Sequence, residues 1–548
     1  MKKDVTMRKN SFVKGAFITT LGIVISKILG IIYVIPFHAI IGESGGALYG
    51  YAYTVYLFFM SLSTAGIPLA ISKIVSEYQT LGYYNVKKRV FILGKRISLL
   101  LGFICFLIIM IFAPLLAKAV LGNVTGGNTV EDIAFVIRVI GTAILIVPIL
   151  SVYRGYFEGH RFMSPPSISQ VIEQIVRVLI IIFGSLFALK SLNLSLTTSV
   201  GVALFGATVG AFASYLYLSF KHIKNKKKFN EKVRSVNEPY ISNKMIIRKI
   251  IIYSVPFILI DIFKSLYNYI DMFTVVKGLV NRANYSAVDA ETVYSILSTW
   301  AAKFNMIILA VSTGVIVSLI PNLAESVIKE QKDEVNKKVS QAISMLLFLT
   351  IPMTLGVSFL AKPIWTLFYG SSKFGPSILS YYIFVGLAVS LFTAGVTILQ
   401  SLKDYKAVFV SLATGVMVKF ILNVNLLIVF YKMKFPPYYG VITASIFGYV
   451  TSFIVCLIIL NKKYEINFEE CVNNFIEVLC GSILMALVLF ILRFIVPITV
   501  ANRLLNLVII ILYTLIGIIV YFIYVNKVGV MKRIFGNSMS TLLKRIKK

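Results

Sequence analysis

The stretch ISLLLGFICFLIIMIFAPLL, residues 97–116, decides the class of fold. Its 20 residues include no charged side chain. At about 1.5 Å per residue, a helix of that length covers about 30 Å, the thickness of a bilayer's hydrocarbon core. Outward from it, the basic cluster Lys87-Lys88-Arg89 stands ahead of the run. Blocks of the same kind recur along the chain. The pattern predicts fourteen membrane spans, near residues 12–41, 46–74, 90–116, 133–157, 166–189, 196–220, 246–277, 293–324, 339–362, 378–402, 405–431, 438–461, 473–496 and 504–526. Punctuation by Gly42-Glu43-Ser44-Gly45-Gly46, Pro165-Pro166 and Pro436-Pro437 sets several limits. Only 14% of the 548 residues are charged, 58% are hydrophobic, and mean hydropathy is +0.87. A soluble protein needs about a quarter of its residues charged to cover its apolar ones. The fold class is therefore an all-α polytopic membrane protein, and a soluble enzyme is excluded.

The net charge of +32 would point to nucleic acid in a soluble protein. Here the positive-inside rule accounts for it, so no nucleic-acid partner is expected. With the N-terminus cytoplasmic, Lys87-Lys88-Arg89, the run from Lys221 to Lys249 and the tail from Lys527 to Lys548 all fall inside. Both termini are expected in the cytoplasm, with the basic loop and tail meeting anionic lipid headgroups. The first apolar run is too long for a cleavable signal. Cys105, Cys456, Cys471 and Cys480 show no metal spacing, nor do the three histidines, and no phosphate-binding glycine loop occurs. These features predict neither an enzyme nor a cofactor.

A shift of 249 residues superposes Ser63-Thr64 on Ser312-Thr313, Lys88-Arg89-Val90 on Lys337-Lys338-Val339, Pro114 on Pro363 and Arg154 on Lys403. Six spans separate the copies, so both enter the membrane in the same direction. The expected organisation is an N-lobe (1–220), a basic linker (221–245), a C-lobe (246–461), two added spans (462–526) and a basic tail (527–548), with the lobes related by an axis along the membrane normal.

A basic residue at the centre of a span costs about 2.5–3.5 kcal/mol, so each one deep in a span needs a partner or a hydrated cavity. Lys27, Lys73, Arg138, Arg177, Lys264, Lys303, Lys419 and Arg493 fall within spans or near their ends. Glu173 and Arg177 share a helical face four residues apart, and Asp261 and Lys264 three apart, so each set is expected to pair. Asp271 lies further along the same span. No acid stands within one helical turn of Lys27 or Lys303 in the sequence. They are the leading candidates for an anion-binding cavity, with a distant acid such as Asp261 or Asp271 as the alternative partner. Gly206 and Gly210 make a small-residue face for close helix packing, and Pro36, Pro68, Pro148, Pro256, Pro321 and Pro352 are candidate bends.

Several motifs resemble a known family. They are Gly15-Ala16-Phe17 to Leu21-Gly22, Ser26-Lys27-Ile28-Leu29-Gly30, Tyr33-Val34-Ile35-Pro36-Phe37, Ala47-Leu48-Tyr49-Gly50-Tyr51-Ala52-Tyr53, and Gly66-Ile67-Pro68-Leu69-Ala70-Ile71-Ser72-Lys73. The strongest is Tyr153-Arg154-Gly155-Tyr156-Phe157-Glu158-Gly159-His160, followed by Ser169-Gln170-Val171-Ile172-Glu173-Gln174. Together they are similar to the YtgP/SpoVB-like polysaccharide exporters of the multidrug/oligosaccharidyl-lipid/polysaccharide (MOP) superfamily, a group that includes lipid II flippases of the MurJ type. The resemblance implies a two-lobe carrier in the bacterial plasma membrane, with a central cavity. By alternating access it would flip an undecaprenyl-diphosphate-linked precursor, such as lipid II, to the outer leaflet. Lys27, Lys73 and Lys303 match the basic positions for the diphosphate, as Lys where many relatives have Arg, which keeps point charge and loses bidentate contact. Arg154, Glu173, Arg177, Asp261, Lys264 and Asp271 are the candidates for cavity, gating or ion-pair roles. The resemblance further implies coupling either to the membrane potential or to Na+, the latter through Asp261 or Asp271 with Asn423 and Thr443. Envelope-synthesis enzymes are the expected protein partners. Competing readings are a flippase for another polyprenyl-linked glycan, a sporulation paralogue, a MATE-type cation or drug antiporter, and a scaffold.

Overall fold

The computed structural model describes residues 22, 25–26, 28–229, 238–329, 331–498 and 503–535. Secondary structure among them is helical throughout, as the lipid environment requires: each backbone N–H and C=O must find its partner within the segment. Twelve of the described helices are long and apolar enough to cross a bilayer. Fourteen spans remain the natural reading. Residues 12–21, 23–24 and 27 of the first lie outside the described residues, and the seventh carries Asp261, Lys264, Asp271 and Lys277 along its length.

The chain divides into two compact units, Met1–Val280 with Tyr285–Ser295, and Asn281–Asn284 with Ile296–Lys548. The first contains α1 (Val34–Thr64), α2 (Ile67–Thr80), α3 (Tyr84–Leu121), α4 (Val130–Gly141), α5 (Val147–Gly159), α6 (Ser164–Leu179), α7 (Leu196–Lys224), α8 (Asn243–Ala283) up to Val280, and α9 (Ala287–Ser295). Gly42 breaks α1 in two by taking φ 64°, ψ −165°, a region open to glycine. Pro68 and Pro148, expected as bends, instead stand in the first turns of α2 and α5, where a missing N–H costs nothing. The α3 stretch that opened the reading turns Ile111 (67% exposed) and Leu115 (62%) outward, and Cys105 and Ile109 inward. A soluble surface would not carry such a face; a lipid-facing one does.

The seventh expected span, α8, falls within the first unit up to Val280. Its contacts explain why. Lys249 Nζ lies 2.6 Å from Glu77 Oε1, Lys277 donates to the Ala119 carbonyl at 2.7 Å, and the Phe58 and Tyr269 rings pack at 5.1 Å. Gly66, at φ 72°, passes so near that a Cβ there would lie 2.6 Å from the Ser254 carbonyl. Both described ends of the basic linker also fold onto this unit. Phe229 is fully buried among Tyr156, Phe157, Phe162, His160 and His222, and the buried Lys87 ammonium donates to the Phe229 carbonyl. Glu238 accepts from the Asn85 and Val86 amides at the start of α3.

The second unit begins with a π-helical turn, Ile296–Trp300, that runs into α10 (Ala301–Ile328). It continues through α11 (Lys332–Phe359), α12 (Ala361–Tyr369), α13 (Gly375–Ser401), α14 (Tyr405–Lys432), α15 (Pro437–Tyr464), α16 (Glu469–Ile495), α17 (Arg503–Lys527) and α18 (Val530–Phe535). The added spans α16 and α17 dock on α11 through Asn474 to Ser344 Oγ (3.2 Å) and Tyr521 to the Phe348 carbonyl (2.8 Å). Both repeat copies back-bond their Ser-Thr pair alike. Ser63 and Thr64 donate to the Phe59 and Met60 carbonyls, and Ser312 and Thr313 to those of Ile308 and Leu309. Such bonds to residue i−4 tend to bend a helix.

Candidate functional site

The first unit holds a part-buried cluster of three charged side chains. Gly206 and Gly210 let α7 approach α6 until a Cβ at Gly210 would lie 2.6 Å from the Glu173 carbonyl. One turn on, this brings Ser214 to Arg154. The Arg154 guanidinium donates from Nη2 to Glu173 Oε2 (2.8 Å) and Ser214 Oγ (3.2 Å), and from Nε to Ser169 Oγ (3.0 Å). Arg177 Nη2 donates to Glu173 Oε1 at 2.6 Å. The three side chains are 15–17% exposed, and two guanidinium charges share one carboxylate. Among the described residues, Arg177 Nε is buried without a hydrogen bond. The pairing of Glu173 with Arg177 follows the four-residue spacing; Arg154 joins them from 19 residues away.

Lys73 is exposed, with its ammonium 4.1 Å from the centre of the Tyr253 ring. Lys264 and Asp261 stand 3.8 Å apart and are 38% and 46% exposed, a loose pair. Asp271 is half-buried on α8. Lys27 lies outside the described residues. Another polar anchor has no counterpart in the sequence reading: Glu291 on α9 is 2% exposed and accepts the Asn128 amide (3.1 Å) and side-chain nitrogen (2.7 Å). Its signal was Gly126-Gly127-Asn128, since a Cβ at Gly127 would strike the Glu291 carboxylate.

In the second unit Lys303 is half-buried, one turn beyond the π-helical turn, a geometry often found at functional positions. Asn423 Oδ1 accepts from the fully buried Lys419 ammonium at 2.7 Å. Thr443 donates to the Tyr439 carbonyl and meets the Tyr381 hydroxyl at 2.9 Å. Lys419 stood out only as a basic residue in a span; its partners Val441 and Ser445 lie a helix away.

Outward-facing apolar helices with charged and polar side chains buried among them define a multi-pass membrane protein with polar sites inside its spans. Residues 12–317 match the family model described as polysaccharide biosynthesis protein. The chain is 31% identical over 539 residues to the protein named lipid II flippase MurJ from Bacillus subtilis (strain 168), covering 97% of this chain and 98% of that one. It therefore belongs to the polysaccharide biosynthesis protein family. Solved structures share the fold. Lipid II flippase MurJ in an inward closed conformation superposes with TM-score 0.65 at 17% identity, over 94% of this chain and 99% of that one. An inward-facing multidrug resistance MATE family transporter of the MOP superfamily superposes with TM-score 0.64 at 13% identity, over 80% and 94%.

Proposed function

We propose that this protein is a lipid II flippase, moving the undecaprenyl-diphosphate-linked peptidoglycan precursor from the inner to the outer leaflet by alternating access. The observation that carries the reading is the near full-length similarity to the Bacillus subtilis flippase. The Lys/Arg bias of the loops supports a cytoplasmic position for both termini.

The substrate headgroup is a diphosphate, and Lys27, Lys73 and Lys303 are its proposed contacts. A unit charge 4 Å from an ammonium gains about 4 kcal/mol at an effective dielectric near 20. The Arg154–Glu173–Arg177 cluster places two guanidinium groups within the first unit. The membrane potential supplies direction. The cell interior is negative, and a full charge crossing 100 mV gains about 2.3 kcal/mol. An anionic headgroup moving outward runs downhill, and so does an emptied cationic cavity returning inward.

Complementation of a flippase-depleted strain tests the assignment of these residues. Wild type restores growth. Lys73→Ala and Lys303→Ala lose it while remaining in the membrane at wild-type abundance. Full growth of both variants would contradict their role.

A further inference from the structure

The least expected polar group of the second unit is Lys419. It is 0% exposed, and lysine is almost never fully buried unless its charge is compensated. Its ammonium has three N–H donors, and its hydrogen-bond partners include three oxygens. They are Asn423 Oδ1 at 2.7 Å, Ser445 Oγ at 2.6 Å and the Val441 carbonyl at 3.2 Å. Asn423 is one turn from Lys419 on α14, and Val441 and Ser445 are one turn apart on α15. The set thus bridges two helices. An amide, a hydroxyl and a backbone carbonyl oxygen are the ligands that a hard cation takes.

We infer that Lys419 is a tethered cation: its ammonium fills a site built from oxygens of α14 and α15 that would otherwise hold a dissociable alkali ion. The helices leave little slack there. A Cβ at Gly440 would lie 2.4 Å from the Leu426 carbonyl, so α14 and α15 are in backbone contact one residue before Val441. Coupling to an ion requires that it bind and leave in each cycle. A charge on a four-carbon stem remains in place. Asn423, the residue expected to ligate Na+, spends its oxygen on the protein's own ammonium, so this oxygen set does not couple transport to sodium. The inference is independent of which lipid is carried.

The test uses the purified full chain in detergent, with binding of radioactive sodium and the thermal unfolding midpoint as readouts. For wild type, replacing NaCl by KCl or choline chloride at constant ionic strength leaves the midpoint unchanged, and no sodium binding depends on Asn423. Lys419→Ala opens the site. Its midpoint falls in choline chloride and recovers in NaCl or KCl, and Asn423→Ala in the same chain abolishes the recovery. Lys419→Met, which fills the space without charge, shows a lower midpoint that no cation restores. Sodium binding to wild type that Asn423→Ala removes would overturn the inference, whether or not the variants fold. So would a Lys419→Ala midpoint indifferent to the cation.

Discussion

At the scale of the residue, the buried charges divide by how they are compensated. Glu173 holds two guanidiniums, so removing its charge leaves both without their shared counter-ion. Breaking a buried ionic cluster by deleting one partner costs about 3–5 kcal/mol. Glu173→Gln is expected to lower stability by about that amount in chemical or thermal unfolding, whereas Glu173→Gln combined with Arg177→Met is expected to lose less. An equal or greater loss in the double variant would mean that Arg177 is held by something other than Glu173. Local pairing of this sort was legible in the sequence, because residues four apart on a helix share a face. The longer-range partners were not. Arg154 reaches Glu173, and Lys419 reaches Ser445, only because α7 packs on α6 and α15 on α14, and no spacing along the chain encodes which helices meet.

At the scale of the element, glycine and an aspartate control how helices meet. Gly210 has the Glu173 carbonyl where a Cβ would go, while Gly314 on α10 has open space and an ordinary helical φ. Gly210→Ala is expected to separate α6 from α7, disturb the Arg154 bonds and reduce the yield of folded protein. Gly314→Ala is expected to stabilise by about 0.5–1 kcal/mol. Size-exclusion profiles and unfolding midpoints compare the two. Asp404, between α13 and α14, accepts from the Ala407 amide at 3.2 Å, from Lys463 at 2.5 Å and from the Tyr464 hydroxyl at 3.0 Å. Burial raises its pKa, but the hydrogen bonds from Lys463, Ala407 and Tyr464 outweigh that and hold the carboxyl below its ordinary value. Its contribution is therefore fully present above about pH 4, the unfolded value, and is lost as pH falls through the lower folded value. Unfolding midpoints measured against pH should show a steeper acid loss for wild type than for Asp404→Asn.

At the scale of the whole molecule, hydropathy made the class plain. A bilayer accepts few alternatives to the apolar helix, so residues 97–116 allow one reading. The packing partners of α8 were not legible, because the repeat counts spans and says nothing of what a span packs against. Gly66 beside Ser254, and Lys249 beside Glu77, place α8 in the first unit. The proposed basic contacts Lys27, Lys73 and Lys303 were read from position in the spans and from motif. Their part in binding is a question for measurement in the membrane.

The most direct test of lipid II transport measures the fraction of lipid II accessible from outside cells depleted of their own flippase and supplied with this chain. The account predicts that wild type restores external lipid II and that Lys303→Ala, present in the membrane at equal abundance, does not. Lipid II that stays inside despite abundant wild-type protein, while another polyprenyl-linked glycan reaches the surface, would contradict it.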